Sequence, residues 1–219
     1  MAETTHQLFA TPFVIDTLQS AEGMAALREL IEAEQKRDQT GVNISNIGGW
    51  HSNTDMAEWG GEVARALAFK AMTMADALTV DSKSPTKSRY GWVPEMWANV
   101  SSKGDANQYH THPGSYWSAV AYIDDGYNGS SESKLGGELQ LQDPRMPMIR
   151  MTAPDLRLKD PSGKPQQNEI MIRPRTGMIV MFPSWLQHAV RGFYGEGTRI
   201  SVAINLVPAI DMAESETRH

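Results

Sequence analysis

The 219-residue chain contains no cysteine, so disulfide bonds and thiolate metal ligands are both excluded. Any metal ion must therefore be bound through nitrogen or oxygen atoms. Histidine is scarce as well, with six in the whole chain. A close grouping of histidines is informative against that background.

Long hydrophobic runs are also missing. No stretch approaches the ~18 apolar residues that a membrane-spanning helix needs. Residues 1–5 lack the positive charge and the apolar stretch of a secretory signal peptide. We therefore predict a chain without a membrane segment, located in the cytoplasm.

Basic residues are fewer than acidic ones, so the net charge is -6 and the isoelectric point is near 5.5. Proteins that bind a nucleic-acid backbone usually carry a basic surface, so this balance argues against a nucleic-acid partner. The composition, with 40% hydrophobic and 21% charged residues, is typical of a globular protein. The length fits a single domain over residues 1–219.

Three of the histidines stand in a pattern typical of a metal site. His110 and His112 are one residue apart, so on a strand their side chains lie on the same face. Residues 115–123 are rich in β-branched and aromatic side chains, and we predict that the histidine pair opens this strand. His188 follows a second apolar run. Three imidazoles on one face can bind a first-row divalent metal and leave its other positions open.

A strand with one polar face is predicted after His188. Every second residue lies on that face: Arg199, Ser201, Ala203 and Asn205. If the face lines a wet cavity, Arg199 is suited to a carboxylate, which its rigid guanidinium binds in a bidentate manner. If the face is exposed instead, Arg199 pairs with an acid such as Glu196. The periodicity is compatible with both interpretations.

Together these segments resemble the 2-oxoglutarate- and Fe(II)-dependent oxygenases. The segments that carry the resemblance are Tyr109–His112, Leu135–Leu139, Pro174–Val190 and Arg199–Ser201. The second is similar to the Gly-Gly-Glu-Thr segment of the prolyl 4-hydroxylases, and the last two are similar to their Pro-x-x-Gly, distal histidine and Arg-x-Ser blocks. Residues 9–13, 44–52 and 112–115 further resemble a little-characterised bacterial and phage branch. The resemblance thus covers nearly the whole chain.

The resemblance implies an enzyme that hydroxylates a small-molecule or peptide substrate and releases succinate and CO2. It implies three ligands for Fe(II), namely His110, His112 and His188. Arg199, the residue that we assign to catalysis, would clamp the distal carboxylate of 2-oxoglutarate with help from Ser201. Asn99 and Asn205 are candidates for further contacts with the co-substrate or the substrate, or else for bonds to backbone at a strand end. The sequence leaves a homodimer open.

One departure from the family pattern concerns the metal ligands. Most members bind iron through two histidines and one carboxylate, whereas His112 stands at the carboxylate position of this chain. Three neutral imidazoles would leave the full charge of the metal for the co-substrate to compensate. A carboxylate from a neighbouring loop is the alternative, and the candidates are Asp105, Asp124 and Asp143.

Two other functions use the same histidines differently. Cupins share the Gly-x5-His-x-His spacing, which Gly104 begins here, and a later Gly-x5-Pro-x4-His spacing, which Gly177 begins. The glutamate that cupins carry a few residues after the pair is missing, and their pattern does not require Arg199. The second alternative is a β-sandwich binding module in which the histidines are incidental.

Two helices are predicted before the strands. Ser20 is a candidate N-cap for a first helix that ends near residues 37–41. Asp55 and Glu58 resemble a capping pair for a second helix that continues to Leu78. We predict an α+β fold: a double-stranded β-helix (jelly roll, cupin-like) with N-terminal helices packed on one face. Its parts are a mainly helical region over 1–90, the β-helix core over 91–208 and a tail over 209–219.

Overall fold

The computed structural model describes residues 8–146, 153 and 155–210 of the chain. Its strands form two antiparallel sheets, one of six and one of five strands, and the helices pack against the larger sheet. This arrangement confirms the predicted α+β fold with a double-stranded β-helix and helices on one face. Within the described ranges, the helices are too short or too polar to cross a membrane.

The first helix begins where the sequence predicts. Helix α1 (Ala21–Arg37) is preceded by Ser20, whose hydroxyl oxygen accepts a hydrogen bond from the Gly23 backbone N–H at 2.9 Å. That bond satisfies one of the backbone donors left unpaired in the first turn. Leu27 and Ile31 are its buried residues, and they join the core beneath the larger sheet.

The second predicted helix is divided in two, so the prediction of one continuous helix is wrong. Helix α2 (Met56–Trp59) ends at Gly60, and helix α3 (Gly61–Leu78) follows at once. Gly61 has a φ of +62°, a left-handed conformation that interrupts the helical hydrogen bonds and that glycine adopts without strain. The predicted cap is also wrong, because the Asp55 side chain makes no capping hydrogen bond.

The strands bring distant parts of the chain together. In chain order they are β1 (Val14–Thr17), β2 (Asn46–Ile47), β3 (Trp50–His51), β4 (Tyr90–Ser101), β5 (Ala106–His110), β6 (Trp117–Asp124), β7 (Leu139–Gln142), β8 (Glu169–Ile172), β9 (Met178–Pro183), β10 (His188–Val190) and β11 (Arg199–Ile210). A short 3-10 helix, Ser133–Leu135, precedes β7. Strands β1, β2 and β3 belong to the region expected to be mainly helical. Residues 211–219, most of the predicted tail, lie outside the described residues.

The larger sheet has the order β1-β9-β6-β11-β4-β3. Its outer face carries small and apolar side chains such as Ala119, Val202 and Ile204, which pack against α1 and α3 in the main core. Both faces of β11 are buried from Arg199 to Leu206. Side chains alternate along β11, and its apolar residues face the helices. The polar row that includes Arg199 must therefore point between the two sheets.

The smaller sheet has the order β2-β5-β10-β7-β8. It faces the larger sheet across a second apolar cluster, which includes Tyr122, Leu139, Val180 and Phe182. Tyr122 and Leu139 also border a cavity between the two sheets. The second core therefore forms one wall of the cavity.

The histidine pair lies one element earlier than predicted. His110 is the last residue of β5, and His112 lies in the turn between β5 and β6. The pair therefore closes one strand and does not open the next. The chain turns here because Pro113 has no N–H for a strand ladder and Gly114 follows it.

Candidate active site

A cavity of about 320 Å³ lies between the two sheets and opens to solvent. This volume lies at the low end of the range for small-molecule sites. All seven predicted site residues line it: Asn99, His110, His112, His188, Arg199, Ser201 and Asn205. They come from β4, β5, β10, β11 and the turn after β5, so only the paired sheets bring them together.

The three histidines form one cluster. His110 and His188 are direct partners across the β5–β10 ladder, and His112 reaches them from the turn. The Nε2 atoms of His112 and His188 are 3.2 Å apart, and candidate donor atoms of all three histidines lie within 4.8 Å of one another. An ion with metal–nitrogen bonds of about 2.1 Å holds two adjacent nitrogens roughly 3 Å apart. The closest pair already has this separation.

Backbone carbonyls fix the orientation of two of the rings. The Nδ1 atom of His110 lies 2.7 Å from the Gln108 carbonyl, and the Nδ1 atom of His188 lies 2.8 Å from the Leu186 carbonyl. A carbonyl oxygen only accepts, so each Nδ1 must carry the proton. The lone pair of Nε2 on each ring is then directed at the cluster, as a metal ligand requires.

Burial keeps the cluster uncharged. Burial, together with smaller contributions from the neighbouring His188 and His110, lowers the pKa of His112 to about 3. It also lowers the pKa of His188 to about 4, again with a contribution from His110, and it lowers the pKa of His110. All three imidazoles are therefore neutral near pH 7, which is the form that binds a metal.

Arg199 is buried in the same cavity and forms no ion pair with an acid among the described residues. Its side chain is 2% exposed, its Nη1 donates to the Ser201 hydroxyl at 3.4 Å, and its Nε has no partner among the described residues. Glu196, the acid proposed for a surface pair, binds Lys103 at 2.8 Å instead. A buried, unpaired guanidinium is costly in free energy, and an anion in the cavity would relieve that cost.

Tyr122 adds a second unsatisfied group beside the arginine. The Arg199 Cζ lies 5.2 Å from the centre of the Tyr122 ring, and the buried Tyr122 hydroxyl has no hydrogen-bond partner among the described residues. Burial raises the pKa of Tyr122, and Arg199 partly opposes this shift. The hydroxyl is therefore protonated near neutral pH and can donate to a carboxylate next to Arg199.

The two asparagines lie in different surroundings. Asn99 is the register partner of Ser201 on β4 and borders the cavity. The Asn205 amide is engaged by neighbouring side chains, since its Oδ1 accepts from the Ser118 hydroxyl at 2.9 Å and its Nδ2 lies 3.2 Å from the Nδ1 of His112. It therefore contacts a ring of the histidine cluster directly.

The alternative acidic ligands lie elsewhere. Asp105 accepts from the backbone N–H of Ser102, Asp124 pairs with Arg28, and Asp143 pairs with Arg145. None of the three carboxylates borders the cavity. In the part of the chain that the structure describes, the histidine cluster contains no acid.

His51 and Glu95 also line the cavity and were not predicted as site residues. His51 is buried, donates through Nδ1 to the Ser52 carbonyl at 2.6 Å and stacks on Trp97 at 5.4 Å. Glu95 shares its strand face with Trp97 and Asn99, since the three alternate along β4. That alternation was readable from the sequence and could have identified Glu95, whereas the position of His51 depends on its short strand pairing with β4.

Comparison with known families gives one match for this chain. A family profile described as "Putative 2OG-Fe(II) oxygenase" matches residues 95–205, just over half of the chain. The chain belongs to this 2OG-Fe(II) oxygenase family. The matched region contains all seven predicted site residues of the oxygenase. A comparison with curated proteins gave no match.

Solved structures share the fold of this oxygenase. A prolyl-4-hydroxylase from Pseudomonas putida has a TM-score of 0.58 at 14% identity, with 91% of this chain and 94% of that chain covered. A prolyl hydroxylase from Trichoplax adhaerens, solved with a hypoxia-inducible factor peptide fragment, has a TM-score of 0.58 at 15% identity, with 94% and 87% covered. HygX from Streptomyces hygroscopicus, solved with nickel and 2-oxoglutarate, has a TM-score of 0.57 at 17% identity, with 95% and 88% covered. At these identities the likeness establishes the fold.

Membership of the family decides between the functions that the sequence left open. The oxygenase uses Fe(II) and 2-oxoglutarate, the two cofactors for which its family is named. The cavity fits both, because it combines a neutral three-nitrogen cluster with a buried guanidinium whose Nε has no partner among the described residues. The cupin and binding-module interpretations account for the histidines alone and leave Arg199 unexplained.

Proposed function

We propose that His110, His112 and His188 bind Fe(II) and that Arg199, with Ser201, binds the distal carboxylate of 2-oxoglutarate. The observation that carries this proposal is the buried Arg199, which has no acidic partner among the described residues, in the cavity that also holds three neutral imidazoles. We also propose that the Tyr122 hydroxyl, which has no hydrogen-bond partner among the described residues, donates to the same carboxylate. Asn99 is proposed to contact the co-substrate or the substrate from β4.

The chain's own residues bind and orient the reactants. When bound, Fe(II) would let dioxygen act as the oxidant: one oxygen atom would enter succinate as 2-oxoglutarate loses CO2, and the other would hydroxylate a substrate carbon. The three histidines would hold the metal and leave its other positions for the co-substrate and dioxygen. Arg199 fixes the distal end of the co-substrate, and the apolar wall at Leu139 and Val120 excludes water from it.

We propose a small molecule or a peptide as the substrate. The mouth of the cavity mixes exposed apolar groups at Ile44 and Tyr109 with the polar groups of Thr54 and Glu95. Support comes from the related folds, of which one was solved with a peptide fragment and HygX was solved with hygromycin B. Cytoplasmic residence, a homodimer and the exclusion of nucleic acid stay predictions.

An anaerobic titration of metal-free protein with Fe(II) and 2-oxoglutarate tests the assignment. We expect the visible charge-transfer band of a chelated keto acid in the wild type and its loss in His112→Ala. Arg199→Lys keeps the charge but loses the bidentate fork, so its apparent Kd for 2-oxoglutarate should rise by about tenfold or more. Arg199→Ala should weaken the band further.

The matched control is Arg65→Ala, which removes an exposed arginine on α3 and should leave the band unchanged. A wild-type protein that binds the metal but gives no band would overturn the 2-oxoglutarate assignment and favour cupin-type metal chemistry. An unchanged band in both Arg199 variants would remove Arg199 from the site.

A further inference from the structure

The three metal-facing imidazoles are not held in the same way. Backbone carbonyls fix the Nδ1 protons of His110 and His188, both of which lie on paired strands. His112 lies in a turn, and the partner of its Nδ1 is the side-chain amide of Asn205. An amide has a donor at one end and an acceptor at the other, so it does not by itself dictate which nitrogen of His112 carries the proton.

We propose that Asn205 is a positioning residue for the metal centre: its amide oxygen accepts a hydrogen bond from His112 Nδ1–H, which leaves the Nε2 lone pair free for the metal. This proposal rests on the proposed function, because it takes His112 as a ligand. Asn205 is thereby assigned to the metal side of the site and not to the co-substrate.

The amide can take two orientations that both satisfy its neighbours. In one, the Ser118 hydroxyl donates to Oδ1 and Nδ2 donates to His112 Nδ1, which places the imidazole proton on Nε2 and blocks metal binding. With the amide turned by half a rotation, Nδ2 donates to the Ser118 hydroxyl and Oδ1 accepts from His112 Nδ1–H. Because a serine hydroxyl can donate or accept, the second orientation loses no hydrogen bond. A metal ion selects that orientation.

The sheet holds this amide at a fixed distance from the ring. Asn205 and Ser118 are register partners on β11 and β6, and Asn205 is 7% exposed while Ser118 is 2% exposed. The His112 ring also lies beside Trp97, with 5.6 Å between the ring centres. Strand pairing therefore supplies for His112 the orientation that a local carbonyl supplies for the other two histidines.

Binding of Co(II) to metal-free protein, followed by its visible absorption, tests the role of the amide without requiring turnover. Asn205→Leu keeps the volume and removes the acceptor, so Co(II) affinity should fall about 10- to 100-fold. Asn205→Asp is a conservative replacement that can only accept, so it should retain the wild-type affinity or exceed it. Ser118→Ala keeps the amide but loosens it, and we expect a smaller loss.

A second readout needs no metal. Long-range proton–nitrogen NMR correlations of labelled histidine report which ring nitrogen carries the proton. In Asn205→Asp, His112 should carry it on Nδ1. The matched control is Asn168→Leu, which removes another buried amide away from the cavity and should leave both the tautomer and the Co(II) affinity unchanged.

The outcomes separate the two proposals. Wild-type Co(II) affinity in Asn205→Leu, or an equal loss in Asn205→Asp and Asn205→Leu, would overturn the role of Asn205 while leaving the metal site intact. Wild-type affinity in His112→Ala would overturn the three-histidine site itself, and the role of Asn205 with it. If Asn205→Leu fails to fold, the affinity of Ser118→Ala and the tautomer in Asn205→Asp decide the question.

Discussion

His112 reaches the histidine cluster from the turn after β5, and its surroundings suit an imidazole. Its ring lies among Trp97, His110 and His188, and burial lowers its pKa to about 3. The histidine is therefore neutral near pH 7. With the proposed ligands, the full double charge of Fe(II) remains for the co-substrate to balance.

The substitution His112→Asp tests that balance of charge. A carboxylate would cancel part of the metal's charge, so we expect Co(II) binding to persist while the Kd for 2-oxoglutarate rises roughly tenfold. The Asn205 Nδ2 can donate to the new carboxylate, so the variant does not leave it unpaired. The anaerobic Fe(II) titration measures both constants. Tighter binding of 2-oxoglutarate in the variant would contradict the charge argument.

Among the elements, the turn into β7 shows how a short motif places a strand. Gly136 has a φ of +63°, and a Cβ added there would lie 1.9 Å from the Gly192 carbonyl oxygen. Two residues later, Glu138 is buried and lies 3.8 Å from Arg173 and 3.6 Å from Arg191. The glycines thus allow two backbone segments to touch, and the close contact sets where β7 begins beside β10.

Gly136→Ala should therefore lower the free energy of unfolding by more than the cost of a left-handed alanine, because the added Cβ also clashes with the Gly192 carbonyl. Gly129→Ala is the matched control, because Gly129 has a φ of +79° and open space around its Cβ position. We expect about 1–2 kcal/mol for the control and at least ~3 kcal/mol for Gly136→Ala, measured by urea unfolding. Equal losses would mean that the contact with Gly192 relaxes without cost.

For the whole molecule, the decisive feature is that the site spans both sheets. His110 and His188 belong to the smaller sheet, whereas Arg199 belongs to the larger one. Metal and co-substrate bound as proposed would connect the two sheets across the cavity. Ligands that bind the folded state alone raise the free energy of unfolding by mass action.

Thermal unfolding measures this linkage. At a ligand concentration of about 100 Kd the gain is ~2.7 kcal/mol, which corresponds to a rise in Tm of roughly 5–10 °C for a chain of this size. We expect Co(II) alone to raise the Tm and 2-oxoglutarate to raise it further only when Co(II) is present. Arg199→Ala should keep the first increment and lose the second. Loss of both increments would show that this variant disturbs the metal site as well.

Local patterns predicted a large part of this protein. The cap at Ser20, the strand alternation from Arg199 to Asn205 and the histidine spacing are short-range features. The fold was predicted from the family resemblance. The break at Gly60 and the turn that contains His112 were missed. Each depends on one or two residues whose backbone conformation is set by what packs around them.

The sequence by itself determined which side chains are available to bind ligands. It has no cysteine, and three of its histidines and one of its arginines have the spacing of the oxygenase family. These residues allow a metal site made of nitrogen donors and an arginine that binds a carboxylate. Only the tertiary structure decided that the polar row of β11 faces a cavity, since periodicity is identical for a strand turned either way. It also decided that Asp105, Asp124 and Asp143 lie away from the cluster and that Asn205 contacts His112. These facts depend on strand register between segments far apart in the chain, and register is fixed by the packing of both sheets at once.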